Sequence, residues 1–303
     1  MTAEFPGRRS KRPPGRLDRP GKGLRSLREW LNFGTEYLRE RQIADAGTDA
    51  WILLEYVTNI NRSYYFMHMH EEMAEGDAED YRRLLERRGG HVPVQYLTGE
   101  AWFYGRSFRV TPQVLIPRQD TEVLVEEVLK RTMPGMRVLD LCTGSGCILL
   151  TILKEASVSG VGADISAGAL AVAEQNRKRL NVRAGWIESD LFEKIGGTFD
   201  LIVSNPPYIA SSVIPELDPE VREHEPLLAL DGHDDGLYFY RRIVGEAPAY
   251  LKAGGWLCLE IGCDQGESLK SLLLDAGFLS VEIVKDLSGL DRVVLGCLPA
   301  SGE

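Results

Sequence analysis

Between Met136 and Leu295 short apolar runs return at intervals that mostly leave room for a helix, and this rhythm restricts the chain's fold more than any other feature. The runs are Val138–Leu141, Val161–Asp164, Val182–Ile187, Leu201–Ser204, Trp256–Ile261, Val281–Val284 and Val293–Leu295. Helical stretches, notably Ala167–Leu180 and Gln265–Ala276, separate them. Strands alternating with helices predict an α/β fold: a mostly parallel, seven-stranded sheet with helices on both faces. Only a short loop, Asp286 to Asp291, divides the last two runs. A parallel crossover needs about a dozen residues, so these two are expected to form an antiparallel C-terminal hairpin.

Open sheets of this kind bind ligands in the crevice outside the carboxyl ends of their strands. The residues there carry the chemistry. After the first strand comes Asp140-Leu141-Cys142-Thr143-Gly144-Ser145-Gly146-Cys147, where Gly144 and Gly146 let a ligand approach the backbone. A dinucleotide fingerprint needs glycine at 149 and meets Leu149, and no G-x-x-x-x-G-K-[ST] run exists, so a pyrophosphate is disfavoured. Asp164 ends the second strand, where a carboxylate takes both hydroxyls of a ribose. Asp190 follows the third, placed to accept from an adenine amino group. Together these describe a nucleoside without a diphosphate, such as S-adenosylmethionine.

The fourth strand runs into Ser204-Asn205-Pro206-Pro207-Tyr208. Two prolines fix φ and remove two N–H donors, leaving a stiff turn rich in acceptors. The Asn205 side-chain oxygen and the Pro206 carbonyl are suited to take both hydrogens of a planar NH2 group, with Tyr208 supplying a flat face. The second substrate is therefore expected to carry a primary amide or an exocyclic amine.

Upstream the pattern changes. Residues 1–23, rich in Pro, Gly and Arg, are expected to be a disordered basic tail. Residues 24–92 read as a small helical bundle: Leu24, Leu27, Trp30 and Leu31, then Trp51, Leu54, Val57 and Ile60, recur at helical spacing, and a third helix is expected over Asp77–Arg88. Residues 93–116 read as a β-hairpin linker around Gly105, and 117–303 as the main domain, entered through a helix that Asp120 is expected to cap. Residues 1–25 carry eight Lys and Arg against Glu4 and Asp18, so the body is more acidic than the net charge of −10. Such a body argues against stable nucleic-acid binding. Five cysteines, an odd number with no C-x-x-C pair, suit a reducing cytoplasmic location, and no metal site is expected. No apolar run reaches about 18 residues, so no membrane span is predicted.

The glycine turn, Asp164-Ile165-Ser166, Ser189-Asp190-Leu191-Phe192 and Asn205-Pro206-Pro207-Tyr208 resemble the class I S-adenosylmethionine-dependent methyltransferases, which have a Rossmann-like sheet. Within them the chain is similar to the PrmC-like peptide chain release factor N5-glutamine methyltransferases, from about Leu24 to Leu298. The most specific segments are Leu115–Glu122, Arg222-Glu223-His224-Glu225-Pro226, Asp234-Asp235-Gly236-Leu237 and Asp291–Gly296. Gln119 stands where proline is usual, and Cys142 where the loop commonly opens with glycine. The resemblance implies that Cys142, Thr143, Gly144, Ser145, Gly146, Asp164, Asp190, Leu191 and Asn205 hold S-adenosylmethionine. It implies that Asn205, Pro206, Pro207, Tyr208 and Arg118 meet the substrate, with Asn205, Pro206 and Tyr208 catalytic. S-adenosylhomocysteine would be the product. The substrate would be the glutamine of the Gly-Gly-Gln (GGQ) motif of class I release factors, which the helical domain would help dock. Rival readings are glutamine methylation of ribosomal protein uL3, N6-adenine methylation of nucleic acid, and a non-catalytic adaptor.

Overall fold

A computed structural model describes residues 26–300. The basic-tail expectation for residues 1–23 falls outside them. The chain divides into two compact units between Leu85 and Glu86.

In the first unit, α1 (Leu27–Glu40) starts at a capping box: Ser26 and Glu29 exchange backbone and side-chain hydrogen bonds, which satisfies orphan N–H groups of the first turn. Trp30, Gly34 and Leu38 share its buried stripe. α2 (Ala46–Thr58) and α3 (Arg62–His68) follow, and α4 (Glu75–Gly89) carries the chain onward. Tyr81 of α4 is fully buried and donates to the Ala50 carbonyl at 3.0 Å. Gly34 makes room for its ring, because a Cβ there would lie 2.2 Å from the phenol oxygen. The bundle thus has one more helix than its sequence pattern predicts. At seven residues, α3 is too short for its periodicity to stand out.

The second unit opens with α5 (Val94–Thr98), then the hairpin of β1 (Glu100–Phe103) and β2 (Arg106–Arg109) turning at Gly105. Val94–Thr98, part of the expected hairpin linker, is helical and closes on Gly99 in the left-handed region. After α6 (Thr121–Arg131) come β3 (Arg137–Leu141), α7 (Cys147–Glu155), β4 (Ser159–Asp164), α8 (Ala167–Leu180), β5 (Gly185–Glu188) and β6 (Phe199–Ser204). Beyond α9 (Pro219–Arg222) lie α10 (Tyr238–Tyr250), β7 (Leu251–Glu260), α11 (Gly266–Asp275), β8 (Leu279–Lys285) and β9 (Asp291–Cys297). The seven-stranded sheet has the order β5-β4-β3-β6-β7-β9-β8, parallel except for β9, which runs antiparallel between β7 and β8.

The sheet is buried on both faces, as parallel strands require. Leu139, Ile202, Leu257, Leu259 and Val294 pack under Tyr240, Ile243 and Val244 of α10 and Leu269 and Leu273 of α11. Their neighbours Val138, Leu201, Val203, Cys258 and Leu295 face Leu124, Val125 and Val128 of α6 and Ile148 and Leu149 of α7. Each such side chain contributes roughly 1.5–3 kcal/mol through burial. The consequence for function is positional. The packed strands β3, β4 and β6 deliver Leu141, Asp164 and Ser204 to one end of the sheet, and the loops that follow form the site.

Candidate active site

The turn after β3 is braced from below. Asp140 is buried and accepts from the Thr143 hydroxyl at 2.6 Å, while its Oδ1 has no partner. Burial pushes its carboxyl up to about 7, against the hydrogen bond from Thr143. Three residues of the turn are left-handed: Cys142 (φ 56°), Gly144 (φ 55°) and Gly146 (φ 78°). Gly144 donates its N–H to Asp164 Oδ2 at 2.9 Å, and Ser166 N–H donates to Oδ1 at 2.9 Å. The Asp164 carboxylate is thereby fixed in orientation, and burial raises its pKa above the usual range.

Gly146 departs from the expected ligand contact. It is the N-cap of α7, and a Cβ there would meet Trp186 at 3.0 Å and Leu150 at 3.2 Å. Its role is close packing of helix on sheet. Asp190, after β5, is gripped by Arg242 of α10 at 2.9 and 3.2 Å, so part of its acceptor capacity is already used. Leu191 beside it is left-handed (φ 47°) and buried.

At the end of β6, Asn205 Nδ2 lies 3.5 Å from the Thr121 hydroxyl, and Glu260, the last residue of β7, stands beside Asn205 on the neighbouring strand as a second acceptor group. With the amide nitrogen held by these acceptors, the side-chain oxygen is the free end. Tyr208 differs from the expected flat wall for a substrate amide. Its ring packs against the apolar core, its hydroxyl is pushed up to about 12 by burial, and Gln265 donates to its carbonyl at 3.0 Å. Gly232 and Gly236 make this seat possible, since a Cβ would come within 2.8 Å of Tyr208 Cα at the first and 2.3 Å of its carbonyl oxygen at the second. Tyr208 is therefore an anchor of the proline turn.

These loops enclose a cavity of about 490 Å³. Cys142, Thr143, Gly144, Ser145, Asp164, Asp190, Leu191, Asn205, Pro207 and Arg118 line it; Gly146, Pro206 and Tyr208 do not. Arg118 is not free to bind substrate alone, because its guanidinium pairs with the buried Glu225 carboxylate. Glu225 also accepts the Ile116 N–H at 3.1 Å, tying the segment before α6 to the loop bearing Pro226, Leu228 and Ala229, three further cavity residues. Asp120 does not cap α6 with its side chain; it pairs with Arg292 at 3.3 Å. Thr121, Glu225, Arg242 and Glu260 were not candidates from sequence, because each acquires its role only through a partner distant in the chain.

Two families match the chain: the PrmC N-terminal domain over residues 29–99 and the methyltransferase small domain over residues 118–216. The release factor glutamine methyltransferase of Geobacter sulfurreducens is 41% identical over 273 residues, covering 89% of this chain and 96% of the relative. The chain belongs to the release factor glutamine methyltransferase family. That of Caulobacter vibrioides is 42% identical over 265 residues, covering 86% of this chain and 92% of the relative. A solved release factor-specific protein-(glutamine-N5) methyltransferase from Alicyclobacillus acidocaldarius is 33% identical, covers 63% of this chain and 99% of that one, and superposes with a TM-score of 0.39. The segments singled out in the sequence acquire physical roles here: Arg118 pairs with Glu225, Asp120 pairs with Arg292, and Thr121, next to Asp120, contacts Asn205. Among the described residues no helix is long and apolar enough to cross a membrane.

Proposed function

We propose that the chain transfers a methyl group from S-adenosylmethionine to the side-chain amide nitrogen, N5, of the glutamine in the GGQ motif of class I peptide chain release factors. The observation that carries this reading is the shared cavity: the glycine turn, Asp164, Asp190 and Asn205 line one space. The names of the relatives supply the substrate class.

The wall residues fit the methyl donor. Asp164, oriented from behind by two backbone N–H groups, keeps acceptor capacity for ribose hydroxyls. Asp190 is placed for the adenine amine, Leu191 and Ile165 for the faces of the base, and Cys142 to Ser145 for the remainder of the nucleoside. A cavity of this size lies within the ordinary range for small-molecule sites. When bound, S-adenosylmethionine supplies an electrophilic methyl on a sulfonium.

An amide nitrogen is a poor nucleophile because its lone pair is delocalised, so the chain's contribution is orientation, which is worth roughly 7–11 kcal/mol at most. Asn205 Oδ1 accepts one hydrogen of the glutamine NH2. The Pro206 carbonyl, on the peptide bond shared with the wall residue Pro207, accepts the other. Both acceptors also favour the positive charge that grows on nitrogen. The proton leaves after attack, so no strong base is required. Tyr208 holds the turn in place from the core. The reading places the protein in the cytoplasm with translation factors and assigns docking of the release factor to the helical domain, residues 24–92.

Incubation with candidate release factors and ribosomal protein uL3, followed by peptide mass spectrometry, tests it. The expected result is one added methyl on the GGQ glutamine of a release factor. Methylation confined to uL3, or none, overturns it.

A further inference from the structure

We propose that Glu260 is the positioning residue for Asn205: together with Thr121 it orients the carboxamide so that Oδ1 faces the cavity, and its negative charge is needed for full turnover. The inference rests on the methyl-transfer reading above and deepens it.

Strand register brings the two residues together. Ser204 of β6 pairs with Leu259 of β7, so the next residues, Asn205 and Glu260, emerge side by side from neighbouring parallel strands. Glu260 is 1% exposed, and the Thr121 hydroxyl and the Asn205 amide are the polar side chains that hold its carboxyl down against the effect of burial. Thr121, 2% exposed, stands 3.5 Å from Asn205 Nδ2 and so backs the amide from a second side.

Packing does not explain a carboxylate at this place. Leu257, Leu259 and Ile261 around it are fully buried and apolar, and a buried carboxylate is costly unless well paired. Glu260 is only partly compensated. Its Oε2 has no hydrogen-bond partner, and the nearby cation, Arg292, is already engaged by Asp286 at 3.0 Å and Asp120 at 3.3 Å. A poorly compensated buried acid one residue behind a cavity wall marks a functional constraint. The chemistry is direct: an amide that donates to a carboxylate is polarised, and its oxygen becomes a stronger acceptor for the substrate N–H. The same charge favours a cationic nitrogen in the cavity.

The groups facing Glu260 are Arg292 from β9, Asp120 before α6, Tyr208 from the proline turn, Tyr240 from α10 and Cys147 from α7. Burial outweighs the Thr121 hydrogen bond and the Arg292 charge and raises the carboxyl to about 7. Its ionisation, and with it turnover, should therefore increase with pH through neutrality.

Glu260→Gln keeps the shape and removes the charge. Relative to wild type, kcat on a release factor should fall on the order of a hundredfold, the cost of misplacing a reacting group. KM and S-adenosylhomocysteine affinity by calorimetry should stay within about twofold of wild type, and the rise of kcat near pH 7 should vanish. A Gln variant with wild-type kcat and the same pH profile overturns the inference. A second readout needs no turnover: the Asn205 side-chain amide resonances should titrate with a midpoint near pH 7 in wild type and not in Glu260→Gln. A non-titrating Asn205 in wild type overturns the inference even if the protein is active. If wild type leaves release factors unmethylated, the functional reading falls and the resonance titration still decides the role of Glu260. Should the Gln variant not fold, Thr121→Val replaces it, with lowered kcat expected and wild-type kcat contradicting.

Discussion

Arg242 Nη1 reaches both carboxylate oxygens of Asp190, at 2.9 and 3.2 Å, across the cavity wall. Charge-assisted pairs of this kind fix geometry as well as adding energy. In the proposed function the pair aims the remaining lone pairs of Asp190 at the adenine amine. Arg242→Met should therefore weaken S-adenosylhomocysteine binding by roughly tenfold, about 1.4 kcal/mol, with little change in thermal stability. Calorimetry checks this, and unchanged affinity would remove Arg242 from the binding machinery.

Cys142 occupies the left-handed region at φ 56°, where its β-carbon is crowded. Such a residue costs roughly 1–2 kcal/mol. Set against the greater flexibility of glycine in the unfolded chain, Cys142→Gly should still be neutral to stabilising by about 1 kcal/mol, read from urea unfolding. Marked destabilisation would mean that the thiol's packing against the core outweighs the strain.

The buried Asp140 makes a prediction about pH. Its carboxyl moves from an ordinary value of 3.8 to about 7 in the fold, chiefly through burial. The folded state then binds a proton more tightly than the unfolded state. Between pH 3.8 and about 7 this residue makes stability fall as pH rises, by a few kcal/mol in order of magnitude. Asp140→Asn lacks this term. The unfolding free energy of the Asn variant minus that of wild type should climb across that window and level off above it; a flat difference contradicts the account.

Local sequence carried the architecture. The strand and helix periods marked the sheet elements, with Ala167–Leu180 matching α8 end to end. Strand starts were less legible. β7 begins at Leu251, five residues before the expected Trp256, because Gly254 and Gly255 interrupt its apolar pattern where the pairing with β6 also shifts register. The glycine turn, Asp164, Asp190 and Asn205 were legible because each lies at or just beyond the carboxyl end of a strand. Their supports were not. Asn205 and Thr121 are 84 residues apart, and Arg118 and Glu225 are 107 apart. Nothing local tells an acid that ends a strand, such as Glu260, from a solvated one; only the neighbouring strand reveals that it is buried. Tyr208 misled for a related reason, since an aromatic beside a turn reads equally as a wall or as an anchor, and only the packing of its ring against the sheet's apolar core favours the anchor.

The central claim is that the Asn205 side-chain oxygen holds the substrate amide in line inside the nucleoside cavity. Single-turnover methylation by Asn205→Ala at saturating S-adenosylmethionine, alongside calorimetric S-adenosylhomocysteine binding, tests it most directly. The account predicts a loss of rate on the order of a hundredfold or more with cofactor affinity nearly intact. A variant that methylates release factor at close to the wild-type rate would contradict it.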